Sequence, residues 1–356
     1  MKKTRIFPFL LFLGFFVISG SAFAQGIIID HTCTDLTQIP PQWLDAAKQL
    51  TLHYAHTSHG SQVLDGSLNL ESLEPDYAIE VRYGSSMGLP AQTTPPSVRV
   101  WSGTVGTTYV TPDLYYDSES GRTTTRAIAD TGDYNFSMFS FCGQLSSMTP
   151  TQVQFYLDTM AQFESEYPSM RFILMTGHTD GSGVGGTLNQ NNELIRQYAI
   201  ANDMVCFDFA DIESWNPDGE WFLDQGCNDN GDYSGGNWCM EWCALYPGDP
   251  LCDACSCAHS QPIICNLKGR AFWWMMARLA GWSGTTECIN NGDVTLDGTL
   301  TANDAQLAFQ ITLGLYTPTE EEACAADCNG DDAITAADAQ AIFYAVLGSG
   351  TCQDPL

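Results

Sequence analysis

Reactive side-chain types crowd into one stretch of this sequence, Leu52-His53-Tyr54-Ala55-His56-Thr57-Ser58-His59-Gly60-Ser61-Gln62. A short apolar run ends there in hydroxyls and imidazoles. A serine hydroxyl is a poor nucleophile until a nearby imidazole accepts its proton. Ser58 is the candidate nucleophile, and His259, far along the chain, is the candidate base, oriented by Asp253 or by a backbone carbonyl. The side-chain amide of Gln144, with backbone N–H groups near Ser58 and Gly143, is suited to hold a tetrahedral oxyanion. Losing one such donor typically slows the reaction about 100- to 1000-fold. Each residue also has a plainer use. Serine is a favoured helix cap, Gln144 can satisfy backbone groups at a strand end, and His259 can anchor a disulfide loop.

His56, His59, His178 and Asp180 are candidate substrate contacts. The imidazoles with Asp180 also offer a second chemistry, a metal that activates water, although their spacing matches no recognised ligand motif. Trp215, with Trp101, Tyr115 and Tyr116, would stack on sugars if the domain only binds carbohydrate; scattered aromatics are more commonly packing. Asp208, Asp211 and Glu213 read as a solvated or hydrogen-bonding rim.

The elements that must position these residues alternate in type. Trp43 to Leu50 reads as a short helix, Leu52 to Ala55 as a first strand and Ile79 to Tyr83 as a second. Residues 85–133, rich in Gly, Thr, Ser and Pro, read as a long loop region that shapes a surface. Phe136 to Phe141 is a buried strand entering Cys142-Gly143-Gln144. In the following helix, Val153, Tyr156, Leu157, Met160 and Phe163 keep a helical period. Arg171 to Met175 is a strand ending in Thr176-Gly177-His178-Thr179-Asp180. A helix over 189–201, a strand over 205–209 and a closing helix over 265–282 complete the pattern. Such alternation implies parallel crossovers: a three-layer α/β fold, flavodoxin-like, with about five strands. Sites in such sheets form at the strands' carboxyl ends, where Ser58, Gln144, His178 and Asp211 all fall.

With that order of elements, residues 25–283 resemble a remote member of the SGNH (GDSL-type) hydrolase superfamily. The family places its serine after the first strand within Gly-Asp-Ser, where this chain has His56-Thr57-Ser58. Its Gly-x-Asn block corresponds to Cys142-Gly143-Gln144. Its Asp-x-x-His block corresponds to His259, with Ser256 three residues before it and Asp253 the nearest acid. The resemblance implies ester hydrolysis, such as removal of acetyl groups from a polysaccharide.

The last part of the chain is different. Asp293, Thr295, Asp297, Thr299 and Asp304 space oxygen ligands like a calcium loop, with Gly298 at the sharp turn. The pattern recurs in Asp327, Asn329, Asp331, Ala333 and Asp338, with Asp332 in place of the glycine. The helices after the loops repeat too, Asp304-Ala305-Gln306 with Phe309 answering Asp338-Ala339-Gln340 with Phe343. Two calcium sites are expected in a small all-α unit over 285–352, the second weaker. This repeat resembles dockerin modules, which implies a cohesin-like scaffold protein as partner. Cys288 and Cys352 bracket the unit and could clasp its ends.

Composition sets the setting. Lys2, Lys3 and Arg5 precede an apolar run from Phe7 to Ile18 and the small residues Ala22 and Ala24, the order of a cleaved export signal over 1–24. That run is shorter than the about 20 residues needed to span a bilayer, and no later stretch is long enough. The formal net charge of −29 argues against nucleic acid, whose phosphates need a basic surface. Fourteen cysteines in an exported chain should mostly pair. Seven crowd into 227–265, where a stapled loop is the better reading and zinc on Cys252, Cys255 and Cys257 the sharper one. The expectation is a secreted serine esterase acting on polysaccharide, held through a dockerin. A non-catalytic carbohydrate-binding or adhesive domain, and a histidine-ligated metal hydrolase, are the alternatives.

Overall fold

The computed structural model describes residues 26–284, 290–331 and 333–352; the expected signal over 1–24, Cys288 and Asp332 lie outside them. Seven strands form one wholly parallel sheet: β1 (Ile27–Ile29), β2 (Thr51–His56), β3 (Ile79–Tyr83), β4 (Val98–Ser102), β5 (Phe136–Ser140), β6 (Arg171–Met175) and β7 (Val205–Phe207). Their spatial order is β3-β4-β2-β5-β6-β7-β1, so β2 and β5 lie side by side in the interior. Both are buried along their whole length, and polar members are paired inside the sheet, His53 Nδ1 lying 2.8 Å from Ser137 Oγ.

Side chains alternate across the sheet, as strand geometry requires. Leu52, Tyr54, Met138, Ile173, Met175 and Phe207 face one core, shared with α1 (Pro41–Ala47), α2 (Ser58–Leu73), α7 (Phe209–Ser214), α8 (Trp238–Leu245) and α9 (Pro262–Leu279). Ala55, Phe139, Phe172, Leu174 and Cys206 face the other, shared with α3 (Pro112–Tyr115), α4 (Glu119–Ala129), α5 (Pro150–Glu166) and α6 (Thr187–Ala201). Helices on both faces of a parallel sheet make an α/β architecture of three layers.

Two features depart from the sequence reading. The sheet has seven strands rather than five, and residues 85–133 hold β4, α3 and α4 rather than loop alone. β4 is Val98-Arg99-Val100-Trp101-Ser102, masked by the Gly, Thr, Ser and Pro residues that flank it. In α4 only Ile128 and Ala129 join the core as apolar residues, so its helical period is faint. β1 is three residues long and acquires its identity only by pairing with β7.

α2 and α9 position the candidate site, because Ser58 opens one and His259 precedes the other. They cross closely at glycines. A Cβ on Gly66 would overlap the Cys265 carbonyl, and one on Gly269 would overlap the Gly66 backbone. Glycine is needed where two backbones approach this nearly.

Residues 290–352 have a core of their own, Val294, Ala305, Ala308, Ala325, Ala326, Cys328, Ala339 and Ile342. Helices α10 (Ala302–Thr312), α11 (Glu320–Ala326) and α12 (Ala336–Val346) build it. Cys352 is bonded to Cys328, so the expected Cys288–Cys352 clasp is not formed. In the cysteine-rich loop Cys243 pairs with Cys252 and Cys257 with Cys265. That removes two of the three thiolates a zinc site there would need. Among the described residues Cys33, Cys142, Cys206, Cys227, Cys239 and Cys255 are free thiols. No helix among the described residues is long and apolar enough to cross a membrane.

Candidate functional site

β2 delivers its chain to the carboxyl edge of the sheet, and α2 begins at Ser58 with Thr57 as its cap residue. Ser58 therefore occupies the first helical turn, where backbone N–H groups have no intrahelical partner. From the other side of the chain, His259 presents Nε2 to Ser58 Oγ at 2.9 Å. His259 adopts a left-handed backbone, φ 65°. Such a conformation is uncommon for a residue with a Cβ and is held by its surroundings. Those surroundings are identifiable: Gln62 Nε2 donates to the Ala258 carbonyl, Ser260 Oγ to the Asp229 carbonyl, and the Cys257–Cys265 disulfide closes the turn onto α9.

A second constellation adjoins this pair. The His59 ring stacks on His259 at 4.6 Å between centroids and on His178 at 3.8 Å, nearly parallel at 3°. His59 Nε2 lies 2.8 Å from Asp229 Oδ2, and its Nδ1 lies 3.1 Å from Cys142 Sγ. Burial depresses the His59 pKa, and the Asp229 hydrogen bond does not fully offset it. Burial would raise the Asp229 carboxyl, yet the His59 hydrogen bond and the charge of His178 bring it below its ordinary value. A neutral imidazole giving its Nε2–H to Asp229 turns the Nδ1 lone pair toward the Cys142 thiol.

Beneath both lies a buried polar network. Lys268 Nζ reaches Gln62 Oε1 and Glu213 Oε1, while Glu213 Oε2 accepts from Thr179 N at 2.6 Å and Thr179 Oγ1 at 2.9 Å. Both members of the ion pair are fully buried. Burial lowers the Lys268 pKa to about 8 against the raising influence of Glu213. The network ties α9, α2 and α7 to the turn that follows β6, which is the turn carrying His178.

The remaining expected site residues separate. His56 is buried, with Nδ1 on its neighbour's carbonyl, Thr57 O, and Nε2 on Ser102 Oγ, so both nitrogens serve the sheet. Asp180 accepts from Ser146 and Ser182 and fixes a turn. Gln144 Oε1 accepts from Cys142 N at 2.7 Å, and its side chain lines a hollow of about 250 Å³ with Pro112, Tyr116 and Gln152. Asp253 is exposed and is not hydrogen-bonded to His259; its carbonyl accepts from Asn266. Asp211 pairs with His31 rather than with the Ser58 cluster, and Trp215 stacks between His31 and Trp221. Sequence reasoning missed Asp229, Lys268 and the thiol of Cys142. Asp229 sits in a cysteine-rich loop with no motif around it, and nothing local announces its partner 170 residues earlier.

In the α/β unit, among the described residues, His59, His178 and Asp229, and separately Asp30, His31 and Asp211, offer ligand atoms within 4.8 Å of one another and could hold a cation.

The loops of residues 290–352 are arranged for oxygen coordination. Asp293 accepts from Asp297 N and Gly298 N, and Gly298 takes φ 81°. Asp304 and Asp338 close the two loops as fully buried carboxylates, each accepting from loop N–H and threonine hydroxyl groups. An all-oxygen, strongly acidic donor set with a glycine at the sharp turn fits calcium. Asp293, Thr295, Asp297, Thr299 and Asp304 would hold the ion, which supplies charge neutralisation and fixes the loop. Asp327, Asn329, Asp331, Ala333 and Asp338 occupy the corresponding positions of the second loop.

Residues 291–347 match the family model described as Dockerin type I domain. Type I dockerins bind calcium, and a dockerin implies a cohesin partner. No curated protein and no solved structure matches the chain.

Proposed function

We propose that the α/β unit is a secreted serine esterase that removes acyl groups from a polysaccharide, and that its dockerin holds it on a cohesin-bearing scaffold. The observation that carries this reading is the 2.9 Å contact between Ser58 Oγ and His259 Nε2 at the opening of a sixteen-residue helix. His259 takes the Ser58 proton as oxygen attacks the ester carbonyl, then returns it to the departing sugar hydroxyl. The free N–H groups of the first turn of α2 and of Gly143 favour the negative charge that develops on the carbonyl oxygen. Gln144 keeps the Gly143 turn in shape through Cys142 N. With Asp253 not hydrogen-bonded to it, orientation of His259 falls to its stack on His59 and to the clamped loop around it. The polysaccharide is inferred from the setting in which dockerins occur. Export rests on residues 1–24, and two calcium ions, the second bound more weakly, on the loop pattern.

Hydrolysis of an aryl acetate, followed by acetate release from an acetylated glycan, tests the reading. Ser58→Ala and His259→Ala should each lower turnover by about 1000-fold or more while far-ultraviolet circular dichroism stays unchanged. Full activity in Ser58→Ala refutes the serine mechanism. A metal-dependent hydrolase is the second reading, favoured by the convergence of His59, His178 and Asp229. It requires activity that survives Ser58→Ala and disappears in His178→Ala.

A further inference from the structure

Cys142, His59 and Asp229 stand in the order thiol, imidazole, carboxylate, with contacts of 3.1 and 2.8 Å. Nothing in the serine chemistry uses them in that order. The thiol is half-buried and unpaired, in contrast to Cys33, Cys206, Cys227 and Cys239, which are buried. Cys142 also closes β5 at the carboxyl edge of the sheet, in the strand beside β2. The carboxylate fixes the imidazole tautomer, and the imidazole faces the sulfur with a free lone pair. That is the arrangement that activates a cysteine nucleophile.

We propose that Cys142 is a second nucleophile of the cleft, with His59 as its base and Asp229 as the residue that positions His59, and that it accepts acyl groups from esters or thioesters. The Cys142 proton passes to His59 Nδ1 as the sulfur lone pair forms a bond to the acyl carbonyl carbon. The tetrahedral adduct collapses with the bond to the leaving oxygen or sulfur breaking, and the leaving atom takes the proton from His59. Water then attacks the acyl-thioester, giving its proton to His59, which passes it to the departing Cys142 sulfur. The N–H of Gly143, next in the chain, is suited to stabilise the new oxyanion. Stacking of His59 on His259 places this acyl acceptor against the serine pair, so both nucleophiles address one substrate.

Cys255 provides an internal control, because it is also free and half-buried but its sulfur hydrogen-bonds the Pro262 carbonyl, at 3.6 Å, and no imidazole. The full chain is held in calcium at pH 7 and treated with iodoacetamide, and the two sites are followed by peptide mass mapping. Cys142 is expected to be alkylated at least about tenfold faster than Cys255, and Asp229→Asn to bring the ratio down. Equal rates in the wild-type protein overturn the proposal. In a second arm, Ser58→Ala protein is mixed with an aryl thioacetate and quenched in acid. Acetyl mass on the Cys142 peptide, removed by neutral hydroxylamine and missing in Ser58→Ala/Cys142→Ala, is the expected result. No acyl mass on Cys142 sinks this proposal and leaves the serine reading intact. Turnover that survives Ser58→Ala and vanishes in Cys142→Ala does the reverse.

Discussion

The α/β unit and the calcium-loop unit solve the burial of charge in opposite ways. In the first, Lys268 and Glu213 are sealed between helices and answer each other, with Gln62 and Thr179 taking their remaining hydrogen bonds. In the second, Asp304 and Asp338 are as deeply buried, yet only N–H and hydroxyl donors face them. A charge paired within the protein depends on the fold alone; a carboxylate facing neutral donors gains from an external cation. One unit is therefore expected to respond to mutation and pH, the other to the ion. All nine tryptophans precede residue 284, so tryptophan fluorescence follows only the first unit.

Acid should separate the two most strongly. His53 and His56 belong to the α/β unit, and burial lowers both pKa values to about 4. The unfolded chain binds those protons near pH 6.5, and the folded protein refuses them until about 4. Their contribution is thus complete above pH 6.5 and declines as pH falls toward 4, by about 1.4 kcal/mol per histidine per unit, or about 7 kcal/mol for the pair. Urea melts followed by tryptophan fluorescence should shift steeply over that interval. The calcium-loop unit contains no histidine and should show no such decline there in saturating calcium. A flat fluorescence midpoint from pH 6.5 to 4 would remove the contrast.

Next in size is Lys268→Met. It leaves the Glu213 carboxylate buried without its partner and should destabilise the α/β unit by about 3–5 kcal/mol. Adding Glu213→Gln should recover part of the loss. Calcium removal should act on the other unit alone. With the ion at about 100 times its dissociation constant, linkage supplies about 2.7 kcal/mol. Chelation should therefore reduce helical circular dichroism and abolish cohesin binding while the fluorescence melt stays in place. A coincident shift in both signals would show that the units are not independent.

The same contrast explains what could be read from the residues. The calcium loops are local: each ligand lies within twelve residues of the others, and the unit occurs twice, so Asp293 to Asp304 and Asp327 to Asp338 announce themselves. The candidate cleft is assembled across the sheet. Ser58 and His259 could be nominated because a strand end and a helix start mark their neighbourhoods, and the structure places them in contact. Asp253 is the nearest acid in sequence yet makes no hydrogen bond to His259, while Asp229 meets His59 only through the fold of the cysteine-rich loop. Apolar periodicity revealed the interior strands β2, β5 and β6, which are buried on both faces. It missed β1, which has three residues, and β4, which lies in a segment rich in Gly, Thr, Ser and Pro; their pairing with β7, β2 and β3 supplies the evidence.

The smallest effect divides the two calcium loops themselves. Gly298 holds φ 81° at the sharp turn, and an added Cβ there would meet no heavy atom within 4 Å. The effect of Gly298→Ala is therefore backbone strain without steric collision, about 1–2 kcal/mol for a left-handed residue bearing a Cβ. If the strain falls on the ion-bound loop, calcium affinity at that site drops about 5- to 30-fold. Calorimetry on the full chain should show two binding events in the native protein, the tighter one lost or merged with the weaker in Gly298→Ala, and the weaker one unchanged. Equal weakening of both events would mean that the loops fold as one cooperative element, so that strain at either turn is shared through the small core of Val294, Ala308 and Ile342 that lies between them.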